Sequence, residues 1–239
     1  MLGPWLRTIF SRFFLFLLML IYLPPFLVVL FLPRQWFYKS KVFFWFADLF
    51  FSAVIKFSLL PVTFRGVENI PEGPVIFAAN HKSSFDIPLV GVLAKKHQHI
   101  WIAKQELTES PILRFVLPRV AILVDPESTF KAMRALLQAI KVMQEHNMGA
   151  VIFPEGTRRT DGEVHEFFAG FVILAKKTNL PVVPVRIFGV NKAYPPETFL
   201  VHYHPVTVVV GPPFFLQEGE TDEAFKQRVY DWFLRQTEG

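Results

Sequence analysis

Val75-Ile76-Phe77-Ala78-Ala79-Asn80-His81-Lys82-Ser83-Ser84-Phe85-Asp86 is an apolar run that ends in a polar turn holding a base and a carboxylate. Five apolar residues bounded by Gly73-Pro74 and by Asn80 read as a buried strand. The turn beyond it carries the chemistry. A neutral imidazole accepts a proton near neutral pH if a neighbour fixes its tautomer and stabilises the cation that forms, and an Asp does both. His81 is therefore a candidate general base and Asp86 its orienter. Five residues turn a helix by roughly 500°, about 140° off register, so the two cannot share a helix face and must meet across a strand-to-helix turn. The plainer alternative makes Asp86 a cap for a helix starting at Ile87-Pro88 and His81 an ordinary loop residue.

Seventy residues on, Ala150-Val151-Ile152-Phe153 repeats the buried-strand pattern and runs into Pro154-Glu155-Gly156-Thr157-Arg158-Arg159. A glycine turn with free amides, a hydroxyl and guanidinium forks suits phosphate, which Arg matches bidentately. A solvated charged turn is the other reading.

Further apolar runs at residues 62–64, 100–103, 120–124, 182–187 and 206–210 bring the expected strands to seven. Helical patterns lie between several of them. Over residues 128–146, Met133, Leu136, Leu137, Ile140 and Met143 recur at three and four, a core-facing stripe. A last helix follows Thr221, with Phe225, Val229, Trp232 and Phe233 inward. This predicts an α/β fold for residues 61–239, large enough for a full core, joined near Leu60-Pro61 to a hydrophobic module over residues 1–60. Ligands of such sheets bind beyond the carboxyl ends of the strands, where both polar turns lie.

The module carries the charge imbalance. Residues 1–60 hold Arg7, Arg12, Arg34, Lys39, Lys41 and Lys56 against Asp48 alone, and the rest of the chain balances at 19 against 19, so the whole net charge of +5 sits there. That points to anionic lipid headgroups and away from nucleic acid. Residues 13–32 are an uncharged run of membrane-spanning length, with Pro24-Pro25 expected to break it. Residues 42–55 form a second, shorter aromatic stretch. Basic residues flank the first run on both sides, which favours a kinked two-helix hairpin dipping into one leaflet over two full spans. A cleaved signal peptide lacks its small-residue cleavage site. The chain has no cysteine, which excludes disulfide and thiolate chemistry.

The two polar turns resemble the glycerolipid acyltransferase family, the 1-acylglycerol-3-phosphate acyltransferases. Asn80, His81 and Asp86 match its first block, and Phe153 through Arg158 its third. Lys104, Glu106, Leu107 and Pro111 match the second, and Val183-Pro184-Val185 the fourth, all in order. The resemblance implies a single mixed-sheet acyltransferase domain behind a two-helix membrane module. It implies direct acyl transfer from acyl-CoA or acyl carrier protein to the free hydroxyl of lysophosphatidate, with no other cofactor, at a bilayer such as the cytoplasmic face of a bacterial inner membrane. His81 and Asp86 are then catalytic. Glu155, Gly156, Thr157 and Arg158 form the acceptor phosphate site, and Lys104, or amides near Gly156, meets the oxyanion or the phosphate. Arg114 stands where the family has Gly, and Pro126 follows Val124-Asp125 where it has Arg, so another lysolipid acceptor, or a non-enzymatic lipid binder, stays open. No Gly-x-Ser-x-Gly elbow supports Ser83 or Ser84 as a nucleophile. His97-x-His99 and His202-x-His204 lack a third ligand at diagnostic spacing, so no metal is expected.

Overall fold

The computed structural model describes residues 3–31, 33–111, 113–158, 161, 163–195, 198 and 200–238. Leu32 and Arg159 of the stretches above lie outside them. All seven expected strands form: β1 (Val62–Arg65), β2 (Ile76–Ala79), β3 (His99–Lys104), β4 (Ala121–Val124), β5 (Gly149–Ile152), β6 (Val182–Phe188) and β7 (Val206–Val210). They make one sheet in the order β1-β7-β6-β2-β5-β3-β4. Five strands from β6 to β4 are parallel, and β7 turns back antiparallel to β6 with β1 parallel to it, a mixed sheet.

Central strands β2 and β5 are buried along their whole length, as parallel strands covered on both faces must be. Alternate side chains feed two cores. Ile76, Ala78, Ala150 and Ile152 face α6 (Thr129–His146), α7 (Gly170–Thr178) and α9 (Asp222–Arg235), and Phe77, Ala79 and Val151 face α4 (Asp86–Leu93). The chain leaving β2 thus goes to one face of the sheet and the chain leaving β5, its neighbour, to the other. Their carboxyl ends open a crevice at this topological switch point.

Ser128 caps α6, its hydroxyl accepting the Lys131 N–H at 3.4 Å, and Asn147 ends it in the left-handed region. The buried stripe is Ala135, Leu136, Ala139, Ile140, Val142 and Met143. Met133 and Leu137, expected inward, are exposed. They lie roughly 100° to 140° round from the centre of the stripe, and small alanines fill the inner face where α6 meets the sheet. In α9, Phe225, Val229 and Phe233 are buried and Trp232 half-buried behind the Thr221 cap.

The N-terminal module consists of α1 (Pro4–Phe31), the short α2 (Arg34–Lys39) and α3 (Lys41–Phe57). Pro24-Pro25 does not break α1. The pair removes two N–H donors from the ladder and crowds the carbonyls of the preceding turn, yet the helix continues through it to Phe31. Residues Pro4–Pro25 are long and apolar enough to cross a membrane. Phe14 stacks on Phe57 at 4.8 Å, and Tyr22 packs edge-on against Phe46 and Phe50, joining α1 to α3. Gly91 in α4 receives α3: a Cβ there would lie 2.3 Å from the Phe51 ring. The charge reading needs correction at two positions. Arg7 is buried over the Tyr203 ring, centroid 4.6 Å away, and Arg12 lies 5.0 Å from that of Tyr194. These guanidiniums face the α/β domain because a ring face offers a cation there what lipid headgroups would offer outside. The side chains of Arg34 and Lys39 lie outside the described ones.

His99 opens β3 buried against Phe44 and Trp101, with Nδ1 2.9 Å from the His97 carbonyl. Burial holds its imidazole down at about 4, from an ordinary 6.5. The unfolded chain therefore binds the extra proton first, and stability present above pH 6.5 drains away as pH falls toward 4, by about 3 kcal/mol if nothing relaxes. Denaturant titrations of the wild type and His99→Gln over that range should show the steeper slope only in the wild type. Equal slopes would remove His99 from the account.

Candidate active site

Asn80 closes β2 and is fully buried. Its Nδ2 donates to the Ile187 carbonyl at 3.0 Å, and the Ile187 N–H donates to its Oδ1 at 2.7 Å, clamping β2 to β6 where the turn begins. His81 then emerges into the crevice with its ring stacked on Phe153, centroids 4.1 Å apart at 17°. Its Nδ1 lies 2.8 Å from Asp86 Oδ2. The same oxygen accepts the N–H groups of Lys82 at 2.6 Å and Ser83 at 2.8 Å. The capping alternative is not what forms: α4 starts at Asp86 with Phe85 at its cap position and no side-chain cap bond. The carboxylate instead looks back along the chain and winds the turn around itself.

Arg158 Nε donates to His81 Nε2 at 3.3 Å. A guanidinium cannot accept, so this bond assigns the lone pair to Nε2 and the proton to Nδ1, directed at Asp86. The only basic atom of the ring thus points at the turn after β5. Gly156 lets that turn form, with φ +69° and its N–H donating to the Phe153 carbonyl at 3.0 Å. That amide is spent within the turn, which removes it as an oxyanion donor. Thr157 Oγ1 is buried without a hydrogen-bond partner, a donor still to be used.

Glu155 was expected at the phosphate, and the structure corrects this. It is 3% exposed and turned inward, accepting the His81 N–H at 3.3 Å and the His165 N–H at 3.4 Å. A carboxylate so placed holds the turn together and offers an anion nothing. Its counter-charge is Lys82, 2% exposed, with Nζ 3.5 Å from Glu155 and 3.7 Å from Asp161, and bonded to the Glu163 carbonyl. Sequence reasoning passed over Lys82, since nothing in a turn of mixed polar residues marks one lysine as buried. Its adjacency to His81 was the only available signal.

Lys104 ends β3 on the same edge of the sheet, but β5 stands between β3 and β2. Its ammonium pairs with Glu106 at 2.9 Å, and among the described residues it makes no hydrogen bond or ion pair with His81 or Asp86. Beyond it, Gln105, Thr108, Glu109, Arg114, Pro118 and Leu123 line an open cleft of about 540 Å³. Ser83 Oγ donates to the Tyr194 carbonyl at 2.7 Å, so its proton is committed away from His81. His99 Nδ1 and His204 Nδ1 each lie within 2.9 Å of a backbone carbonyl, and among the described residues no group of three or more His, Asp or Glu is arranged for a metal.

The Acyltransferase family model matches residues 61–188, more than half the chain and every residue of the crevice. The chain belongs to the acyltransferase family. Among its relatives, a 1-acyl-sn-glycerol-3-phosphate acyltransferase of Borreliella burgdorferi is 31% identical over 172 residues, 66% of this chain and 68% of that one. One of the same name from Limnanthes douglasii is 30% identical over 179 residues, 74% of this chain, which spans only 63% of the plant protein's length. The crystal structure of the 1-acyl-sn-glycerophosphate acyltransferase PlsC from Thermotoga maritima superposes with a TM-score of 0.77 at 26% identity, over 97% of this chain and 93% of that one.

Proposed function

We propose that this acyltransferase moves a fatty acyl group from an acyl thioester, acyl-CoA or acyl carrier protein, to the free hydroxyl of 1-acylglycerol-3-phosphate, giving phosphatidic acid for phospholipid synthesis. The observation that carries the reading is the meeting of the His81 Nε2 lone pair with Arg158 at 3.3 Å. It puts a base beside an anion-binding group, and the acceptor presents a hydroxyl and a phosphate on neighbouring carbons. The names of the relatives agree with it.

In this mechanism the phosphate draws Arg158 to itself and uncovers Nε2. His81 takes the hydroxyl proton as the oxygen attacks the thioester carbonyl, and Asp86 stabilises the imidazolium. The tetrahedral intermediate expels the thiolate, which recovers the proton from His81. No cofactor beyond the donor is required. Thr157 supplies an unspent hydroxyl donor at the same turn. Incubating the purified chain with lysophosphatidate and either donor should release thiol. No release with lysophosphatidate, but release with another lysolipid in an acceptor panel, would move the assignment to that acceptor.

Arg158→Ala should raise the KM for lysophosphatidate roughly 10- to 100-fold, the equivalent of the 1.5–3 kcal/mol of a charge-assisted hydrogen bond. Its effect on kcat should be smaller. An unchanged kcat/KM for the acceptor would take the phosphate away from Arg158.

The module's place is at the bilayer, along one leaflet. Residues 7, 8, 11, 15, 18 and 22 of α1 recur at helical spacing and pack on the protein or line its contacts. The opposite face, with Trp5, Ile9, Phe13, Phe16 and Leu20, is apolar and exposed. A helix committed along one side to its own domain suits an interfacial position better than a crossing. We assign the site to the cytoplasmic side of an inner membrane, where thioester donors are made. Labelling a Trp36→Cys protein from each side of sealed vesicles tests the topology, and labelling only from the side opposite the active site would rule out the single-leaflet arrangement.

A further inference from the structure

Tyr194 follows the short helix α8 (Val190–Ala193) and touches the catalytic turn twice. Its ring stacks on Phe85, centroids 5.6 Å apart at 11°, and its carbonyl accepts the Ser83 hydroxyl at 2.7 Å. Both partners lie inside the span from His81 to Asp86. Ser83 also donates its N–H to Asp86, and its hydroxyl accepts the Phe85 N–H at 3.3 Å. From the other side the Arg12 guanidinium of α1 covers the Tyr194 ring. Burial pushes the Tyr194 phenol up, and the Arg12 charge opposes it. The same helix is fastened farther along this loop, where Thr8 Oγ1 accepts the Val201 N–H at 2.9 Å and Arg7 lies over Tyr203.

We propose that Arg12 and Tyr194 are positioning residues, through which the membrane-facing helix α1 braces the His81–Asp86 turn. Arg12 fixes the Tyr194 ring, the ring fixes Phe85, and the Tyr194 carbonyl fixes Ser83, whose N–H steadies the carboxylate that holds the imidazole. The apolar module then sets the geometry of the base as well as the place of the enzyme. This rests on His81 acting as the base, as in the function above.

The test uses the full chain with vesicles of phosphatidylethanolamine and phosphatidylglycerol, lysophosphatidate, and acyl-CoA or acyl carrier protein as donor. Arg12→Gln and Tyr194→Leu should each lower kcat roughly 10- to 100-fold, the scale of a small misplacement of reacting groups. The KM for lysophosphatidate and vesicle co-sedimentation should stay as in the wild type. Arg12→Lys, which keeps a cation over the ring, should recover most of the loss. Arg7→Gln, which loosens α1 at Tyr203 without touching Tyr194, should leave kcat in place. Hydrogen exchange of the amides of residues 82–86 should quicken in Arg12→Gln and Tyr194→Leu while that of α6 does not change. Unchanged kcat and exchange in both variants would overturn the brace, as would an equal kcat loss in Arg7→Gln or a loss that tracks vesicle binding. A wild type that releases no thiol with lysophosphatidate or with any lysolipid of the acceptor panel would refute the acyl-transfer reading alone, and the exchange arm would still decide the brace.

Discussion

His81→Gln should reduce turnover by roughly 100- to 10,000-fold, the usual contribution of a positioned general base, while thermal unfolding stays near that of the wild type. The main-chain N–H of residue 81 still donates to Glu155 after the substitution, and the amide side chain fits the stack on Phe153. What it cannot do is take up a proton. The acceptor KM should change little, because the phosphate is held by Arg158 and not by the ring. Single-turnover thiol release with saturating lysophosphatidate is the direct measurement. A well-folded variant with undiminished release would falsify the assignment of His81 as the base.

Asp86 separates orientation from charge. Its Oδ2 accepts three donors, two amides and the imidazole, while Oδ1 is buried without a partner. In Asp86→Asn the amide oxygen can take the place of Oδ2 and keep all three bonds, so the histidine tautomer is retained. The lost negative charge no longer stabilises the imidazolium. Turnover should fall by roughly 10- to 100-fold, the equivalent of the 1.5–3 kcal/mol of a charged hydrogen bond. The new NH₂ lands where Oδ1 was, without an acceptor, and should cost about 1–3 kcal/mol of stability. Asp86→Ala should be worse on both counts, since it strands the Lys82 and Ser83 amides and frees the ring. Equal kinetics for Asn and Ala would show that the negative charge, and not orientation, is the whole kinetic contribution of Asp86.

The sheet was legible because each strand is built on a short run of apolar, often β-branched residues: Ile76–Ala79 is apolar throughout, and Val206–Val210 is valine apart from Thr207. The order of those strands was not, because it depends on which crossover goes to which face. Spacing showed that His81 and Asp86 could not share a helix face and would have to meet across a turn, but it left the capping alternative for Asp86 open, and the second polar turn with the family resemblance was needed to favour the pair. Burial within the polar turns could not be read. Lys82 and Glu155 look in sequence like solvated charges, and only their mutual approach across 73 residues makes both buried. Arg7 and Arg12 misled for the same reason, since their partners Tyr203 and Tyr194 are almost 200 residues away. Local pattern fixed the face of α6 only approximately, because alanines carry little weight in a hydrophobic stripe and yet occupy the inner positions.

The fit of Phe51 into the space left by Gly91 governs how freely the two parts of this chain could be recombined with those of a relative. A front section from another protein would dock only if it offered a ring at that height and met a residue without a side chain below it. Shuffled hybrids should therefore tolerate exchange of the aromatic residues of α3 that face away from α4, yet fail when one parent supplies the ring and the other a residue with a side chain at the glycine's position.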